Sequence, residues 1–151
     1  KVQSDKIFQI QGHLEAVGTV TQPITFTSAA DSGPGEWRGL DFNGAFVQGT
    51  GNLAYVTLRY WGSGQTNTGL WIRQTGGPVT LNHSCVISGF RSGSDYALRV
   101  MSSQVNISGT TIAGNGDSAA DDYALYAGAA DGDIEARPGE AASDITIIPA
   151  P

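Results

Sequence analysis

The sequence predicts an all-β chain wound as a β-solenoid, and three observations carry that expectation. Twenty-one glycines in 151 residues, with abundant Ser and Thr, supply many turns. No long i, i+3, i+4, i+7 apolar pattern marks an amphipathic helix. Short runs of alternating apolar residues recur about every 25–32 residues, the period of a β-coil with no helix in it.

Taken in order, "IFQIQGHLEAVG" (7–18) reads as strand, turn and strand. "PITFTS" (23–28) is a strand, and the Gly- and Pro-rich turn "AADSGPGE" leads to a further strand at "RGLDF" (38–42). Three later runs repeat the scheme: "LAYVTLRYWGSG" (53–64), "LNHSCVISGFRSG" (81–93) and "VNISGTTIAGNG" (105–116). A short strand follows each, namely "GLWIR" (69–73), "YALRV" (96–100) and "YALYA" (123–127), and "SDITII" supplies a last one. Leu40, Leu70, Leu98 and Leu125 are spaced by 30, 28 and 27 residues. That spacing gives four recognisable coils, with partial coils at each end.

Period 2 explains why such a chain would coil. Ile24 and Phe26, Leu40 and Phe42, Val56 and Leu58, Leu70 and Ile72, and Leu98 and Val100 each share one face of a strand. A spacing of one coil stacks the leucines at about 4.8 Å, and parallel pairing between coils satisfies the backbone. Turns of variable length bulge outward.

The stretch "GHLEAVGTVTQPITFTSAADSGPGEWRGLDF", continued by "LAYVTLRYWGSG", resembles the right-handed parallel β-helix repeat proteins of bacterial and archaeal cell surfaces. Members carry a similar "G-x-L-x-A-x-G-T…P-I-x-F-T-S" run, a "G-x-W-x-G-L/I" corner and an "L-x-Y-V-x-L/I-x-Y" strand. The resemblance covers nearly the whole chain. It implies a right-handed parallel β-helix over residues 1–151 as a single module. It also implies an extracellular or cell-surface setting, and it leaves the function open.

Charge excludes some partners. The formal net charge is −6 and only 15% of residues are charged, so no basic stripe is present to neutralise nucleic-acid phosphates. Residues 1–110 carry a balance of +1 and residues 111–151 one of −7. No apolar run reaches membrane-spanning length. Cys85 is the single cysteine, which reads as a buried structural thiol. The first residues are already strand-like, which suits a mature or trimmed chain or a piece of a longer one.

Four aromatic residues are candidates for binding carbohydrate. Trp37, in "GPGEWRG", is either a platform for a sugar ring or, as the resemblance implies, a recurring corner residue. Tyr60 and Trp61 are adjacent near a strand end and so point to opposite faces, with at least one expected at the surface. Trp71 lies between inward-facing Leu70 and Ile72 and is expected to face outward. Lateral packing is the competing reading for all of them.

The acidic segment holds Asp117, Asp121, Asp122, Asp131 and Asp133, hard oxygen ligands that suit Ca²⁺ above softer metals. Neither the EF-hand loop nor a Gly–Asp nonapeptide repeat is present, so solvated loop acids compete with a Ca²⁺ site. The sequons "NHS" at Asn82 and "NIS" at Asn106 are glycosylation candidates or ordinary turn and stacking residues.

An enzyme is the less favoured expectation. Asp121 and Asp122 are adjacent, as in β-helix pectin hydrolases, but the Gly-His-Gly and Arg-x-Lys motifs that accompany such a pair are absent. His13 and His83 lie in different coils. Arg73 and Arg99, candidates for a lyase base, are expected to stack in register with each other but outside the acidic segment. The sequence therefore points to a non-catalytic surface scaffold, adhesin or head-to-tail filament subunit without a resident cofactor. Its partners would be other copies or the flanking domains of a longer chain. The alternative is a carbohydrate-binding or polysaccharide-cleaving β-helix module.

Overall fold

The computed structural model describes residues 1–43, 49–63, 68–83, 86–88, 96–101, 103, 105–115, 123–129, 132–136 and 145–149. Among them the protein is all-β, with no helix. The strands follow one another in threes. The first round holds β1 (Phe8–Ile10), β2 (His13–Val17) and β3 (Ile24–Phe26), and the second β4 (Leu40–Asn43), β5 (Thr50–Ala54) and β6 (Val56–Leu58). The third holds β7 (Thr68–Arg73), β8 (Val79–Asn82) and β9 (Val86–Ser88), and the fourth β10 (Tyr96–Met101), β11 (Val105–Ile107) and β12 (Thr110–Asn115). Then come β13 (Tyr123–Ala129), β14 (Gly132–Ala136) and β15 (Ile145–Pro149).

Sequence neighbours do not pair within a round. Sheet 1 has the order β1-β4-β7-β10-β13-β14, sheet 2 the order β2-β5-β8-β11, and sheet 3 the order β3-β6-β9-β12-β15. All pairings are parallel except β13 with β14, an antiparallel hairpin at the edge of sheet 1.

Register follows the apolar alternation, because a slip of one residue would turn every core side chain to solvent. In sheet 1 Phe8, Leu40, Leu70, Leu98 and Leu125 form one row, and Ile10, Phe42, Ile72 and Val100 a second. Ala16, Leu53, Leu81 and Ile107 line up in sheet 2, and Phe26, Leu58, Ile87 and Ile112 in sheet 3. Members of all these rows join one hydrophobic core. Each fully buried Leu or Ile contributes about 1.5–3 kcal/mol, so the rows supply the main driving force for folding.

The run "LAYVTLRY" is not one strand. It bends at Tyr55, between β5 and β6, where φ is +52°, and the next round bends alike at His83, also at +52°. These bends are bonded to one another: Tyr55 N–H donates to the His83 carbonyl at 3.0 Å, and Ile24 N–H donates to the Tyr55 carbonyl at 3.0 Å. The two rings stack 5.5 Å apart at 11°. A left-handed conformation at Tyr is uncommon, and its repetition one round later gives the bend a stacked partner.

Candidate functional site

The polar corner between β3 and β4 is organised around two carboxylates. Asp31 accepts from Thr27 Oγ1 at 2.6 Å, from Arg59 Nε at 2.9 Å and from Arg59 Nη2 at 2.7 Å. Glu36 accepts from the hydroxyls of Ser28 and Ser32. The residues before β1 lie against this corner, with Val2 bridged to Ser28 and Arg38 bonded to Asp5 at 3.1 Å. The bonds from Arg59 hold the Asp31 carboxyl below its ordinary range, and the Ser28 hydroxyl does the same for Glu36. Asp5 is lowered by the bond from Arg38. A general acid at neutral pH needs a raised pKa, so these three carboxylates are built as anchors.

Trp37 belongs to the interior of this corner. It is 0% exposed, its backbone bridges that of Trp61, and its indole N–H donates to the Arg59 carbonyl at 2.7 Å. Trp61 is also 0% exposed, contrary to a place on a sugar-binding surface. The cause is local: Tyr60 takes φ +62°, ending the strand's alternation, and Trp61 packs where Gly69 has no side chain. A Cβ on Gly69 would lie 2.5 Å from the indole Cε2. Tyr60 is half-buried, with the Arg59 guanidinium 5.1 Å from its ring centre. Neither Trp37 nor Trp61 offers a ring face to a ligand from solvent.

Trp71 is different. It lies half-buried on the outer face of sheet 1, in the row Gln9, Asp41, Trp71, Arg99, Tyr126. The neighbouring row holds Asn43, Arg73 and Met101. Arg73 and Arg99 are therefore not in register with each other; the Leu70–Leu98 match sets Arg99 beside Trp71 and Arg73 beside Met101. Arg73 donates to Asp41 through Nε at 3.0 Å and Nη2 at 2.8 Å, a bidentate pair that spans β4 and β7. Asp41 is only 1% exposed, so its carboxylate is well desolvated, while the Arg73 side chain stays 31% exposed. The Arg73 guanidinium carbon lies 3.8 Å from the Trp71 ring centre. A cavity of about 170 Å³ opens beside it, lined by Trp71, Arg73, Gln74 and Met101.

The outer face of sheet 2 holds a smaller polar group. His13 Nδ1 lies 2.9 Å from Thr50 Oγ1 and its Nε2 3.1 Å from Glu15, which accepts from Asn52 at 3.0 Å. His83 instead stacks on Tyr55 at a bend and belongs to a later round than His13. Asn82 ends β8 and is half-buried, whereas Asn106 in β11 is exposed.

Asp117, Asp121, Asp122 and Asp131 lie outside the described residues, as does Cys85. Asp133 belongs to β14, opposite Gly128, and its side chain is not described. Among the described residues no three His, Cys, Asp or Glu side chains gather as a metal-holding group. No family model, curated protein or solved structure matches the chain.

Proposed function

We propose that the chain is a right-handed parallel β-helix module that serves as a non-catalytic extracellular or cell-surface scaffold. It would act within a longer chain or stacked on other copies as an adhesin or filament subunit. The observation that carries this reading is the use of charge between rounds. Arg59 reaches back to Asp31, and Arg73 reaches back to Asp41, so carboxylates serve as ties from one round to the next.

The β-helix itself is supported by the rotation of the chain through three parallel sheets in register. Parallel crossovers are right-handed in about 98% of cases, which supports the hand. The surface setting follows from the resemblance of the repeat. In the filament reading a second copy would pair with a strand at a sheet edge. An open edge is a template for further strands, and head-to-tail pairing generates a filament.

Two measurements test this. Negative-stain electron microscopy over rising protein concentration is expected to show rods or fibres, and dispersed globules throughout count against a filament. Incubation with a panel of polysaccharides, followed by reducing-end and unsaturated-product assays, is expected to show no cleavage. Reproducible cleavage overturns the scaffold reading.

A further inference from the structure

The outer face of sheet 1 holds a cation, Arg99, set among aromatic rings. The Arg99 guanidinium carbon lies 4.7 Å from the Tyr96 ring centre, 5.2 Å from Trp71 and 5.5 Å from Tyr126. Tyr96 and Tyr126 themselves meet edge to face at 5.3 Å. Arg38, Arg59 and Arg73 are each paired with a carboxylate, and Arg99 pairs with none among the described residues. Its Nε is buried without a hydrogen-bond partner, and so is the indole Nε1 of Trp71.

Such donors are costly to leave unused. Three aromatic rings offset part of the charge's desolvation, but they accept no conventional hydrogen bond from Nε. Two unfilled donors therefore lie on adjacent strands, and one of their residues, Trp71, also lines the cavity of about 170 Å³ together with Arg73, Gln74 and Met101. At about 30 Å³ per water, that is room for five or six waters, more than a lone inorganic anion fills.

From this arrangement we propose that the outer face of sheet 1 binds an acidic saccharide. Its carboxylate or sulfate sits on Arg99, and one pyranose ring enters the cavity against Trp71 and Met101. The aromatic and thioether surface suits the C–H face of a sugar ring, and Gln74 adds an amide at the rim. A peptide strand would need a free sheet edge, whereas β7 and β10 are paired on both sides. Nucleic acid would need a basic stripe, and residues 1–110 carry a balance of only +1.

The test is calorimetric titration of the whole folded chain, with Trp fluorescence followed in parallel. The probes are tetragalacturonate, a heparin-derived tetrasaccharide, neutral cellotetraose and sodium sulfate. At least one acidic tetrasaccharide is expected to bind in preference to cellotetraose and sulfate. A charge-assisted bond of ordinary strength makes Arg99→Gln weaken binding by about ten- to hundredfold. Thermal melting confirms that the variant is folded. If it does not fold, Arg99→Lys, which loses the planar fork, must weaken binding by roughly threefold or more.

Glu135 is the register partner of Tyr126 in the pairing of β13 with β14. Glu135→Gln is expected to bind as well as the parent chain. The proposal is overturned if neither acidic tetrasaccharide binds, or if cellotetraose or sulfate binds as well as they do. It is also overturned if folded Arg99→Gln retains full affinity, or if binding appears only in Glu135→Gln. Binding without cleavage leaves the scaffold reading intact, and cleavage overturns that reading without touching this one.

Discussion

Replacing Gly39 by Ala places a methyl group where the next round already has backbone. Gly39 stands at the end of the "GEWRG" corner, directly before β4, with φ +89°. An added Cβ would overlap the Gly69 carbonyl oxygen and lie 2.5 Å from that of Thr68. Two costs follow. The left-handed backbone costs about 1–2 kcal/mol once a Cβ is present, and relieving the overlap by shifting β4 against β7 costs about 1–3 kcal/mol. Their sum is about 2–5 kcal/mol, which for a domain of this size lowers Tm by roughly 5–15 °C.

Calorimetry and far-ultraviolet dichroism melts measure this directly. Gly12→Ala is the control, because nothing lies within 4 Å of its added Cβ, and a shift within about 0.5 kcal/mol is expected. If Gly39→Ala melts within about 2 °C of the parent, then Gly39 is not pressed against Thr68 and Gly69. The stacking of the second round on the third would then be wrong.

Three further outcomes are expected. Trp61→Ala should cost about 3–5 kcal/mol in urea unfolding, since Trp61 is 0% exposed; a folded, equally stable variant would return Trp61 to the surface. Asp41→Asn should cost about 1–3 kcal/mol by weakening the bidentate bond from Arg73, and equal melting temperatures would deny that tie a structural role. Stability should also fall on acidification. Asp5, Asp31 and Glu36 have folded pKa values lowered from ordinary values of 3.8 for Asp and 4.5 for Glu. The unfolded chain therefore takes up protons first. Their contribution is complete above the ordinary values and is lost as pH drops through the lowered ones. Arg59→Gln should shrink this acid-side loss in urea titrations from pH 6 to pH 2, and an unchanged profile would show that Arg59 does not hold Asp31.

The rows that build the core were legible in the sequence because each inward residue obeys period 2 and recurs one round later. Leu40, Leu70, Leu98 and Leu125 needed only counting, and the structure aligns them in that order. The bends at Tyr55 and His83 were not legible. Both are non-glycine residues at positive φ, so no breaker marked them, and two short strands read as one. Which of Tyr60 and Trp61 is buried was not legible for the same reason, since a left-handed Tyr60 defeats a rule that assumes an unbroken strand.

Trp71 was placed outward correctly, because Leu70 and Ile72 on either side are core residues. The place of Arg99 beside Trp71 could have been read had the leucine spacing been carried one residue further. That spacing sets Arg99 beside Trp71, while Arg73 faces Met101 and ties back to Asp41. What no spacing reveals is which acid an arginine chooses. The choice rests on side chains from different rounds, 32 residues apart for Asp41 and Arg73.

The central claim is that successive rounds stack in parallel, in register, with the same side chains inward. Solution NMR of the isotope-labelled chain tests it through amide and α-proton contacts between strands. The expected result is parallel cross-strand contacts that place Leu40 beside Leu70 and Leu70 beside Leu98, as in β4, β7 and β10. Antiparallel contacts between strands adjacent in sequence, such as β5 with β6 or β8 with β9, would contradict it.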